Sequence, residues 1–106
     1  METECVIVFT TIPSTTDGRE LASILVTERL AACVNVLPEM ESVYRWEGTV
    51  ETDRERQLMI KTTAQRVAAL KTRLHELHTN EVPEFLVLPV IGGSERYLNW
   101  LRDSTT

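Results

Sequence analysis

Apolar positions along the chain switch between a strand-like period and a helix-like one, and each switch marks an element. Cys5-Val6-Ile7-Val8-Phe9 is an unbroken, largely β-branched run that predicts a buried strand, with Pro13 closing it. Asp17 and Glu20 stand three apart in the manner of a helix cap. Leu21, Ile24 and Leu25 then carry helical spacing and predict a helix running to about Ala32. From Cys33 to Tyr44 the alternation predicts a long strand interrupted at Pro38 by a bend or bulge. Glu47-Gly48-Thr49 reads as a turn, and Gln57 to Thr62 as the returning strand. Val67, Leu70, Leu74 and Leu77 form an apolar stripe that predicts a second helix starting near Thr62 or Thr63. Pro83 marks a loop and Phe85 to Ile91 a fourth strand. Gly92-Gly93-Ser94 then opens a terminal helix carrying Tyr97, Leu98, Trp100 and Leu101.

The order is β-α-β-β-α-β with one more helix. It predicts an α+β, ferredoxin-like sandwich, a split βαβ with helices on one face of an antiparallel sheet. In that topology the second and fourth strands are the sheet edges, and they are the strands holding Pro38 and Pro89. Proline has no amide hydrogen, so an edge is where a sheet tolerates it. Those edges also carry Val36, Val43, Val87 and Val90. Exposed apolar edges invite pairing, and a symmetric oligomer that joins the long hairpin to a neighbour's edge would cover them.

Composition narrows the function classes. With 106 residues the chain is expected to be one domain, residues 1–106, large enough to form a core without disulfides. Eleven basic against sixteen acidic residues give a charge of −5, which argues against a nucleic-acid backbone as partner. No apolar run approaches the roughly 20 residues of a membrane helix. The acidic start Met1-Glu2-Thr3-Glu4 lacks a basic secretory n-region, so a cytoplasmic location is expected. Cys5 and Cys33 are expected to act as small hydrophobes rather than nucleophiles.

Several segments, in order along nearly the whole chain, resemble one family. They are Leu-Ala-Ala-Cys-Val-Asn-Val-Leu-Pro (30–38), Ser-Val-Tyr-Arg-Trp-Glu-Gly (42–48), Ile-Lys-Thr-Thr (60–63), Val-Pro-Glu (82–84), Leu-Pro-Val (88–90) and Tyr-Leu-Asn-Trp-Leu (97–101). The family is the CutA divalent-cation tolerance proteins. The resemblance implies a ferredoxin-like subunit, a homotrimer built by strand pairing, likeness to PII signalling trimers, and a role in the response to copper and other divalent ions.

His75 and His78, three apart near the end of the second helix, are positioned on one helical face to hold copper or zinc. Interaction with the helix dipole explains such histidines equally well. His78 matches the family histidine that precedes the Pro-Glu loop, and Glu81 is a carboxylate to complete its shell. Some relatives add an adjacent histidine and a cysteine near the end of the first strand; this chain has Leu77 and Thr10 there, which removes the soft thiolate. A second candidate set is a ligand cleft of Tyr44, Arg45, Trp46, Glu47, Glu55, Lys61, Glu84 and Trp100. Arg45 and Lys61 suit a carboxylate or phosphate, and Glu55 and Glu84 a cation, while Trp46 and Trp100 also suit interface packing. In the resembling trimers these segments border clefts between subunits. Gly92-Gly93-Ser94 is too short a glycine run to be more than a turn with a cap.

The expected function is therefore a metal-responsive trimer that binds rather than catalyses. The alternative is a PII-like receptor for an anionic metabolite in the inter-subunit cleft. An acylphosphatase would need an anion-cradling loop after the first strand, and Asp17 there opposes phosphate. RNA recognition would need an aromatic ladder on the central strands and a basic face.

Overall fold

The computed structural model describes residues 4–77 and 83–106. The elements are β1 (Cys5–Pro13), α1 (Gly18–Thr27), β2 (Cys33–Val36), β3 (Met40–Trp46), β4 (Thr49–Thr63), α2 (Val67–Leu77), β5 (Leu86–Pro89) and α3 (Glu95–Ser104), with a 3₁₀ turn (Ala64–Arg66) leading into α2. The sheet order is β2-β4-β1-β5, with β3 also paired to β4 and every pairing antiparallel. This is the α+β arrangement with split βαβ order that the pattern predicts. Pro89 lies in an edge strand, and Pro38 falls in the gap that divides the other edge into β2 and β3.

One face of the sheet makes the core. Val6, Val8 and Ile12 of β1 and Leu58 and Ile60 of β4 point to it, and Leu21, Leu25, Leu70 and Leu74 cover it from α1 and α2. The entrance of α1 is capped by Asp17, whose carboxylate accepts from the Glu20 amide at 3.0 Å. Gly18 lets that entrance sit on the sheet, since a Cβ there would lie 2.8 Å from Val36 Cγ1. The other face, bearing Ile7, Phe9, Met59 and Lys61, is covered by α3 at one end, where Leu101 meets Cys5 and Ala32. Both cysteines are free, and Cys5 is a buried member of that small cluster.

Several boundaries differ from the sequence expectation. Helix α1 ends at Thr27 rather than near Ala32. Arg29 turns left-handed at φ 60°, and the Leu30 and Ala31 amides both return to the Leu25 carbonyl, at 3.0 and 3.3 Å. Leu30, Ala31 and Ala32 are buried by this turn, not by a continuing helix. Strand β1 ends at Pro13 as expected, but β5 is Leu86–Pro89 rather than 85–91, leaving Ile91 99% exposed. Helix α2 starts at Val67 because Thr62 and Thr63 are still buried strand residues.

The largest difference is β4, which begins at Thr49 instead of Gln57. Its second half lies between β1 and β2, whereas residues 49–54 pair with β3 alone. The result is a two-stranded ribbon that projects from the body and stretches the molecule to 44 × 26 × 23 Å. The ribbon turns through Glu47 and Gly48, both at positive φ (49° and 82°), the conformation a two-residue hairpin needs.

Thr62 ties the α1–β2 connection to the sheet: its buried hydroxyl donates to the Leu30 carbonyl at 2.8 Å. Thr62→Val keeps the shape but leaves that carbonyl unpaired. It is expected to lower unfolding stability by about 1–3 kcal/mol in urea titrations at fixed protein concentration, with an unchanged m-value.

Candidate functional site

The expected cleft residues fall at three places along β4. From Glu51 to Lys61 is ten strand residues, about 33 Å, so one chain does not gather them into one pocket.

The first place is the ribbon. Directly paired residues share a face, so Tyr44 and Trp46 stand beside Glu51, Asp53 and Glu55, while Val43 and Arg45 stand with Val50 and Arg54 on the reverse. Glu47 sits in the turn. Tyr44, Trp46, Val43 and Val50 are all exposed in the single chain. The Tyr44 hydroxyl donates to the Asp53 carboxylate. That bond, reinforced by the charges of Asp53, Glu51 and Glu55, pushes the phenol up to about 12.

The second place is at the root of the ribbon. Glu55 pairs in register with Met40 and Pro13. Glu84 lies in the segment entering β5 and is held from two sides. Thr10 Oγ1 donates to its carbonyl at 2.7 Å, and Gln57 Nε2 donates to its carboxylate at 2.6 Å and to the Thr10 carbonyl at 2.9 Å. Gln57 was not anticipated as a site residue. Its signal is a polar side chain alternating with Met59 and Lys61 on one strand face.

The third place joins β4 to α3. Lys61 Nζ stands 5.9 Å from the centre of the Tyr97 ring, and Tyr97 and Trp100 are 5.4 Å apart with planes tilted by 44°. Tyr97 was expected only as a residue carried by the last helix.

Of the expected metal ligands, His75 is exposed in the last turn of α2. His78 and Glu81 lie outside the described residues. Among the described residues no group of three or more His, Cys, Asp or Glu side chains is placed to hold a metal ion. Leu77 and Thr10, where the resemblance implied a histidine and a cysteine in some relatives, both make packing or hydrogen-bond contacts. Leu77 packs against the main core, and Thr10, fully buried, pins the segment before β5.

Comparisons with known proteins agree with one another. Residues 6–104 match the family model described as CutA1 divalent ion tolerance protein. The divalent-cation tolerance protein CutA of Thermus thermophilus is 46% identical over 99 residues, 93% of this chain and 96% of its own length. Protein CutA of Arabidopsis thaliana is 45% identical over 94% of this chain, which spans 55% of that protein; the Oryza sativa relative is likewise only 56% spanned. Among solved structures, CutA from Xylella fastidiosa superposes with a TM-score of 0.92 at 41% identity, covering 97% of this chain and 99% of the other.

The Tyr44–Asp53 bond has a titration signature. Its proton is held until pH rises through about 12, against an ordinary value of 10.0, so the tie is present below 10 and lost above 12. The chain has two tyrosines, and Tyr97→Phe leaves Tyr44 as the only phenol. Phenolate absorbance of that variant should show a midpoint near 12, and adding Asp53→Asn should move it back toward 10.

Proposed function

The chain belongs to the CutA1 divalent ion tolerance protein family, and from that premise we propose that it works as a homotrimer that binds divalent metal ions and does not catalyse a reaction. The observation that carries the reading is the ribbon. A two-stranded ribbon is marginal in water by itself, and this one presents Val43 at 67% and Val50 at 61% exposure together with Tyr44 and Trp46. Leu86, Val87 and Leu88 leave the opposite edge strand similarly exposed. Covering ribbon and edge with other copies removes both liabilities at once, and a closed ring leaves none over.

Metal binding in this reading is shallow. Thr10 and Glu84, which flank the approach to β5, are already engaged with each other and with Gln57. The ligands are then His78, with His75 and Glu81 as further donors and water completing the shell. Copper and zinc suit such imidazole-rich, open coordination.

Sedimentation equilibrium at micromolar concentration should give three times the 12.1 kDa chain mass. Trp46→Ala should weaken that assembly by about 2 kcal/mol or more while leaving the subunit fold intact. A mass near one chain, or an unweakened trimer in the variant, contradicts the ribbon's role.

Calorimetric titration with Cu(II) and Zn(II) should show binding that is lost with His78→Ala and only reduced with His75→Ala. Affinity should fall in acid, because imidazole ligates only when neutral. Unchanged binding in both variants removes histidine from the function.

A further inference from the structure

The two faces of the β3–β4 ribbon carry opposite charge. Glu51, Asp53 and Glu55 of β4 lie on one face beside Ser42 and Tyr44, with no basic residue in the row. Arg45, Arg54 and Arg56 lie on the reverse with Val43, Val50 and Thr52. Part of each charge is met inside the chain. Asp53 accepts from the Tyr44 hydroxyl, and Arg54 pairs with Glu39 at 2.9 Å and stands opposite Glu41. Glu51 and Glu55 on the acidic face, and Arg45 and Arg56 on the other, belong to none of the ion pairs among the described residues. Arg56 is the sharpest case. Its Nε is buried at the root of the ribbon, level with Ile12, and has no hydrogen-bond partner among the described residues.

Opposite faces of one ribbon point away from each other, so these charges cannot meet within a chain. Covering the ribbon with apolar surface alone would strand them, at a desolvation cost for each ion. A two-fold pair that packs like face on like face sets carboxylates against carboxylates or guanidiniums against guanidiniums, which is repulsive. A head-to-tail contact brings two different surfaces together, so it can set acid against base, and it is the contact from which closed rings are built. Glu51 and Glu55 are about 13 Å apart along the strand and Arg45 and Arg56 about 20 Å, a difference that extended arginine side chains span.

Resting on the homotrimer reading above, we propose that the acidic face of each ribbon, through Glu51 and Glu55, docks on the arginine face of a neighbouring copy, through Arg45 and Arg56. The neighbour's carboxylates supply the acceptors that Arg56 lacks in its own chain, and the charge pattern selects a head-to-tail ring over a two-fold pair.

The test is sedimentation of dilution series in mild urea. Glu51→Lys with Glu55→Lys makes both faces basic, and Arg45→Glu with Arg56→Glu makes both acidic. Each double variant should raise the concentration at which the trimer dissociates by at least about tenfold. Combining all four substitutions exchanges the two faces and should recover most of that loss. Because Arg56 is half-buried, the same cycle is run with Glu51→Lys and Arg45→Glu alone, both at exposed positions. The inference is overturned if the acidic-face variants assemble as well as wild type or better, or if the combined variants are no more stable than the separate ones. A wild-type trimer indifferent to every charge reversal overturns this inference alone, whereas a wild-type protein of single-chain mass overturns the homotrimer reading with it.

Discussion

Every other element of this protein is arranged around the fifteen-residue strand β4. Its second half lies between two strands and under two helices, where Leu58 and Ile60 are fully buried. Among the described residues, its first half has one strand partner, β3, and no layer above or below. A strand that starts unsupported and ends in the core demands something at its free end. The exposed valines and aromatics of the ribbon say that the demand is apolar.

The same strand separates the chemistry. Its far end carries Tyr44, Trp46 and an acidic row. Its middle binds the β5 approach through Gln57, and its near end presents Lys61 to the last helix. Residues about 33 Å apart on one strand cannot meet within one chain. The proposed ring of identical chains would account for why ligand-like residues are spread so far along a small subunit. Thr10 and Leu77 hold the body together, Thr10 through its bond to the Glu84 carbonyl and Leu77 by packing against the core.

Much of the fold was legible because hydrophobic period and burial agree. Val6 and Val8, Leu21 and Leu25, and Leu70 and Leu74 each repeat at the spacing of the element that buries them. The start of β4 was not legible. Val50-Glu51-Thr52-Asp53-Arg54-Glu55-Arg56 has no apolar alternation, because none of the described residues of the single chain covers either face of the ribbon. The end of α1 was misread for the opposite reason: Leu30 and Ala31 are apolar and buried, but a turn buries them. Site residues were legible by type and not by grouping. Tyr44, Lys61 and Glu84 stand out singly, whereas Gln57 and Tyr97 gain meaning only from the register that places them beside Glu84 and Lys61.

The most direct test of the ribbon's dependence on other copies is amide hydrogen exchange along Met40–Trp46 in the native protein. In one chain β3 has β4 on one side only, so about half of its amides lie on an open edge and should exchange quickly. Pairing across copies should protect the whole of β3 to nearly the level of the core strands, and Trp46→Ala should abolish the difference. Fast exchange at alternate positions of β3 in the wild-type protein, at concentrations well above assembly, would contradict it.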